Sequence, residues 1–175
     1  MRHFGTILSD VRKRYEKQRS RDRRLVCADG FHMDCDVLKL RKAVWTNDDL
    51  TRINSPTGEI FFSIWISEDD ARSGRAKYNI HSYGLRQLKA YRIAANDFCD
   101  QFRIAFRKVR KSWPNVSTRF GCATLMEGWF ETGEKSFGCN ALALMYRFEK
   151  EIMPIIDDLL KQRLRPPKRA RAAVA

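Results

Sequence analysis

The 175-residue chain has no stretch of 18 apolar residues, which excludes a membrane-spanning helix. No run of seven or more apolar residues follows its basic start, so a secretory leader is not expected. A mitochondrial leader should be poor in acids, and Asp10, Glu16 and Asp22 argue against one. No G-x-G-x-x-G, G-x-x-x-x-G-K-[ST] or H-E-x-x-H occurs, which removes the motif-based grounds for dinucleotide, P-loop and zincin chemistry. No Glu is followed two positions later by Lys, so the Glu-x-Lys pair of the common restriction-type nuclease core is missing too.

Histidine is scarce. His3, His32 and His81 are the only imidazole bases, and no spacing marks a dyad of His81 with Cys99 or Cys122. The five cysteines, Cys27, Cys35, Cys99, Cys122 and Cys139, are odd in number and lack the spacing of a disulfide scaffold. Reduced thiols in a cytoplasmic protein are the expectation, or in a nuclear one if the source is eukaryotic, since Arg165-Pro-Pro-Lys-Arg-Ala-Arg171 passes for an import signal. At 20.5 kDa, folding buries about 70 % of the chain's surface, so neither metal nor disulfide is needed for stability.

What the chain has is positive charge. The net charge is +13, of which residues 1–24 and residues 161–175 contribute +6 each and the 136 residues between them +1. A basic N-terminal helix (1–24), an α+β body (25–160) and a basic tail (161–175) follow as the expected organisation. Fifteen cationic side chains at two ends form a polyanion-binding surface if the ends meet, and solvated, solubilising ends if they do not.

The periodicities predict an α+β fold: a mostly antiparallel sheet of about five strands with an N-terminal, a central and a C-terminal helix. Phe4, Ile7, Leu8, Val11 and Tyr15 mark one face of the first helix. Residues 25–27 read as a short strand, Ala28-Asp29-Gly30 as a turn and Asp36–Trp45 as a second strand. Residues 59–66 alternate with both faces apolar, the pattern of a central strand. Ser67 and Asp70 fit a capping box, with Gly74 closing a short helix before a strand over 77–83. Asn79, His81 and Tyr83 then share one sheet face, expected to lie under the N-terminal helix.

A central helix is predicted with Asn96 as its cap, Phe98, Phe102, Phe106 and Val109 as its stripe, and Arg107 to Lys111 in its last turn. Residues 115–120 and 123–130 read as a strand pair or one strand bent at Gly121. In the last helix Pro154 should impose a kink or restart, because it cannot donate to the Lys150 carbonyl.

Three chemistries can be placed on these residues. The first is phosphate contact by Arg12, Lys13, Arg14, Lys17, Arg19, Arg21, Arg23 and Arg24, by Lys161, Arg163, Arg165, Lys168, Arg169 and Arg171, and by Arg103 and Arg107, with Tyr78, Tyr83, Tyr91 and Trp113 as stacking partners. This predicts a non-enzymatic protein that associates with DNA or RNA, without a cofactor and without a membrane. The same cations suit an acidic protein, so an inhibitor or adaptor is the alternative. A metal-dependent nuclease using Glu68, Asp69, Asp70, Asp34 and Asp36 is a further one. Cys27, His32 and Cys35 form C-x4-H-x2-C, three of the four ligands that structural zinc needs, with no second close pair after them.

Overall fold

The computed structural model describes residues 3–18, 25–50, 53, 57–133 and 136–166. Strands β1 (Leu25–His32), β2 (Cys35–Lys42), β3 (Glu59–Ser67), β4 (Arg75–Tyr83) and β5 (Thr124–Glu131) form one sheet in that order, each neighbouring pair antiparallel. Helices α1 (His3–Gln18), α2 (Glu68–Arg72), α3 (Ala95–Phe106), α4 (Phe137–Arg147) and α5 (Met153–Lys161) complete an α+β fold. The strand expected to be central, β3, is the middle one of the five.

Alternation along the strands decides where the helices go. Ile60, Phe62, Ile64 and Ile66 share a face with Leu38 and Leu40 on one neighbour and Tyr78 and Ile80 on the other, and all are buried. Leu8, Val11 and Tyr15 of α1, the Phe98/Phe102/Phe106 stripe of α3, and Leu144, Met145, Ile156 and Leu159 of α4 and α5 join the same cluster. The long helices therefore lie on one side of the sheet. Phe62 stacks on Phe148 at 4.8 Å between ring centroids, with Trp45 edge-on to Phe148 at 5.9 Å.

The other sheet face is closed differently. Phe61, Trp65 and Trp129 point away from the helices, and each is half-buried. Lys39 Nζ sits 3.6 Å from the Phe61 ring centroid, Lys77 Nζ 4.5 Å from that of Trp65, and the Arg75 guanidinium 4.1 Å from that of Trp129. Cations laid on ring faces cover this side where no helix does. Towards β1 and β2, Glu59 accepts from Lys39 at 2.5 Å and from Arg41 at 2.6 Å. The same two cations donate to the carbonyls of Ile53 (2.9 Å) and Leu50 (2.7 Å), fastening those two residues to the sheet.

Several local expectations are corrected. β1 runs straight through Ala28-Asp29-Gly30, and the chain turns instead at Met33 and Asp34, whose φ values of 49° and 59° give the left-handed two-residue link between His32 and Cys35. β2 ends at Lys42, since Trp45 is pulled inward by its Nε1 donating to Asp157 Oδ1 at 2.9 Å. Asn96 does not cap α3; Ala94 flanks it, and Asn96 Oδ1 accepts from the Cys122 thiol at 3.1 Å. α3 stops at Phe106, and Arg110–Ser112 forms a separate 3-10 turn. Residues 115–120 form no strand; Ser117 alone bridges Glu127, after Asn115 has taken a positive φ of 51°.

Two punctuation signals behave as the sequence predicts. Pro154 enters at the first turn of α5, and the preceding Phe148–Ile152 widens into a π turn that absorbs the missing donor. The Ser67/Asp70 capping box forms, with Asp70 N donating to Ser67 Oγ at 3.1 Å and Gly74 at φ 69° after the helix. Burial alone would raise the Asp70 carboxyl, but hydrogen bonds from Ser67 and Lys77 outweigh it and hold the carboxyl below its usual range. That contribution is complete above about pH 4 and is lost as pH falls through the lowered folded value. Ser67→Ala should therefore cost about 1 kcal/mol and shorten the acid limb of the stability curve, read by denaturant melts at pH 3 and pH 7.

Candidate nucleic-acid interface

α1 carries its apolar stripe on one side, which leaves Arg14 and Lys17 on its exposed flank. Its last turns are fixed to the C-terminal end of α4: the Tyr15 hydroxyl donates to Glu149, Tyr15 packs on Tyr146 at 5.5 Å, and the Tyr146 hydroxyl donates to Gln18 at 3.2 Å. On the other flank of α4, Arg147 donates to the Ser112 carbonyl. Ser112 Oγ and Trp113 Nε1 donate to Glu151 at 2.5 and 3.1 Å.

Three separate pieces of chain thus meet at one band. Along it Arg14, Lys17, Lys150, Arg110 and Lys111 are exposed, and among the described residues none of the five is in an ion pair. The acids interleaved with them are already engaged: Glu149 by Tyr15, Glu151 by Ser112 and Trp113, and Glu16 by Arg12. Five exposed cations against these three acids leave the band a net positive surface.

The chain matches no protein-family model, no curated protein and no solved structure.

The other residues expected to touch phosphate divide into three groups. Arg19, Arg21, Arg23, Arg24, Lys168, Arg169 and Arg171 lie outside the described residues. Lys13 pairs with Asp10 at 3.4 Å, whereas Lys161 and Arg107 are exposed with no ion pair among the described residues. Four arginines are engaged by other parts of the fold. Arg12 pairs with Asp29; Arg103 donates to the Phe120 carbonyl at 2.5 Å; Arg163 binds Asp97 at 2.5 Å and the Leu159 carbonyl at 2.8 Å; Arg165 donates to the Tyr91 carbonyl at 2.7 Å. Residues 163–165 also pair with 90–92 through the Tyr91–Leu164 bridge, so this part of the basic end is bound to the body.

The stacking partners are corrected. Tyr78, Tyr91 and Trp113 are 0, 5 and 3 % exposed, and only Tyr83, at 53 %, is accessible. The polar row on β4 exists, but α1 packs against β1 and β2 on the opposite face and does not cover it. Asn79 is buried there, accepting from Ser63 at 2.5 Å and contacting His81 Nε2 at 3.0 Å. The rings of the uncovered face already carry their own cations, so they are not vacant stacking platforms.

The metal expectations fare poorly. Cys27 points to the core face, whereas His32 and Cys35 face the other side at the hairpin end, about 16 Å further along the strand. Glu68 and Asp69 stand on the first turn of α2, where Asp69 pairs with Arg72, and Asp70 is held by Ser67 and Lys77. Among the described residues no group of three or more His, Cys, Asp or Glu side chains is arranged to hold a metal ion.

Lys150 was not anticipated as part of a cationic surface. Its signal is its placement opposite the Leu144/Met145/Phe148/Ile152 stripe, but charge on a solvated helix side is too common to single it out.

Proposed function

We propose that the protein is a non-enzymatic nucleic-acid-binding protein that holds the phosphate backbone on the cationic band formed by Arg14, Lys17, Arg110, Lys111 and Lys150. The observation that supports this reading is that Arg14, Lys17, Arg110, Lys111 and Lys150 are exposed and in no ion pair among the described residues, while Glu16, Glu149 and Glu151 are held by other partners. The sequence from Arg19 to Arg24 adds four more arginines directly after Lys17. With the aromatic rings either buried or already capped by cations, binding by charge and position with little base readout is the form the chemistry supports.

Five phosphate contacts on duplex DNA give a slope of log K against log[salt] of roughly −4 to −5, and about −3.5 on a single strand. Lys17→Glu, Lys111→Glu and Lys150→Glu combined should weaken binding at least about tenfold at 100 mM salt and flatten the slope by about 2 to 3 units. Fluorescence anisotropy with labelled 20-mers reads both quantities. Absence of binding to DNA and RNA at 50 mM salt, or a slope near zero, refutes the proposal. Partners that persist in a pull-down after nuclease treatment would move the band to an acidic protein.

A further inference from the structure

We infer that Cys99 and Cys122 are a dithiol site for reversible oxidation, closing a disulfide between the start of α3 and the turn that leads into β5. This goes beyond the nucleic-acid reading and does not depend on it.

The two cysteines are 23 positions apart in sequence, yet Cys99 Sγ donates to the Cys122 carbonyl at 3.5 Å, which puts the two residues in contact. Cys122 is held from both sides. Its carbonyl accepts from Ser82 Oγ, and its thiol donates to Asn96 Oδ1 at 3.1 Å. Cys122 is only partly buried and its thiol's contact with Asn96 lies at the surface, so its sulfur is the nearer of the two to solvent. Cys99 is buried beneath it with 0 % exposure. An accessible sulfur backed by a shielded second one is the arrangement of a reacting and a resolving cysteine.

The oxidant is a hydroperoxide. The Cys122 thiol gives its proton to solvent and the thiolate attacks one peroxide oxygen; the O–O bond breaks, and the leaving oxygen takes a proton from solvent and departs as water or an alcohol, which leaves a sulfenic acid on Cys122. The Cys99 sulfur then attacks the Cys122 sulfur, the S–O bond breaks, and that oxygen takes the Cys99 proton and leaves as water. Two electrons pass from the dithiol to the peroxide. Burial, with the Cys122 sulfur beside it, pushes the Cys99 thiol up to about 12, so the second step is slow at neutral pH and accelerates as the solution becomes more basic. A third thiol resets the pair by exchange.

Trypsin separates the two cysteines into peptides 93–103 and 120–135, each with a single cysteine. After peroxide treatment of the folded full chain and alkylation, these two peptides should appear joined, at the sum of their masses less two hydrogens. Free thiols should fall from five to three, and dithiothreitol should restore them. The joined species should form faster at pH 9 than at pH 7, and Cys122→Ser should abolish it while Cys139→Ser leaves it intact. Oxidation of Cys122 to sulfinic acid without the joined pair, or a linkage to Cys27, Cys35 or Cys139 in the folded protein, overturns the inference.

Discussion

Replacing Glu59 with glutamine should lower the unfolding free energy by about 3–5 kcal/mol, the usual cost of removing one partner from a buried ion pair. For a domain of this size that is a loss on the order of 10 °C in Tm. Lys39, Arg41 and Glu59 are 3, 1 and 3 % exposed, so one carboxylate answers two cations in a place that water does not reach. Glutamine keeps the shape and an acceptor oxygen but removes the charge, and both cations lose the carboxylate they share. Lys39→Met added to Glu59→Gln should recover part of the loss, because it removes one of the two buried charges. Additivity of the two single changes in a double-mutant cycle would mean that the three side chains do not act as a unit.

The same cluster has a signature at high pH. Burial lowers the Lys39 ammonium from its ordinary value to about 8, with Arg41 adding to the effect and Glu59 opposing it. Between about pH 8 and 10.4 the unfolded chain holds the Lys39 proton and the folded chain has released it, so stability gained through this group rises with pH in that window. Wild type measured against Lys39→Met should therefore improve from pH 8 to pH 10, which isolates Lys39 from the tyrosines and cysteines that titrate nearby. A constant difference between the two proteins would show that Lys39 keeps its proton throughout.

Gly128→Ala should also be severely destabilising, by about 3 kcal/mol or more, and is expected to reduce the soluble yield. A Cβ added at Gly128 would overlap the Tyr78 hydroxyl and ring and stand 2.9 Å from the Pro114 carbonyl oxygen. None of these can step aside. Tyr78 is 0 % exposed, its hydroxyl donates to the Pro114 carbonyl at 2.5 Å, and its ring packs against Trp113 and Phe62. Tyr78→Phe in the same background should restore little, because the ring carbon is part of the clash. Thermal melts of the single and double variants read the comparison, and wild-type stability in Gly128→Ala would show that β4 and β5 separate more easily than this packing allows.

Glycine at 128 is also a measure of what the sequence makes legible. Short-range signals translate well. The alternation of 60–66, the spacing of Phe98, Phe102 and Phe106, the Ser67/Asp70 pair and Pro154 all carry their structure within a few residues, and each element forms where they place it. Partnerships set across the fold do not translate. Gly128 reads as an ordinary strand weakness until Tyr78 is seen lying over it. Ala28-Asp29-Gly30 has turn chemistry, yet eight residues of pairing with β2 draw it into a strand and move the turn to Met33-Asp34.

Charge shows the same limit at the candidate interface. Arg14 and Lys17 stand out in the sequence as members of a basic run, but so do Arg12 and Arg163, and only the fold separates cations that answer an internal carboxylate from cations that do not. Lys150 lies between two glutamates, which in the sequence outweigh it. Tyr15 on one side and Ser112 with Trp113 on the other hold those carboxylates, which keep their charge but leave Lys150 outside any ion pair among the described residues.

The bond between the first helix and α4 fixes an order of events during synthesis. α1 can settle on β1 and β2 as soon as residue 42 has emerged, but its other flank waits for Phe137, which meets Phe4 edge-on at 5.3 Å, for Gly138 beside Ile7 and Val11, and for Glu149, which takes the Tyr15 hydroxyl. At about 5–20 residues per second, that flank stays wet for roughly 5–20 s on the ribosome after β2 is complete. A nascent chain halted before α4 displays Phe4 and Ile7 to the cell, so exposure of that flank of α1 reports whether α4 has arrived.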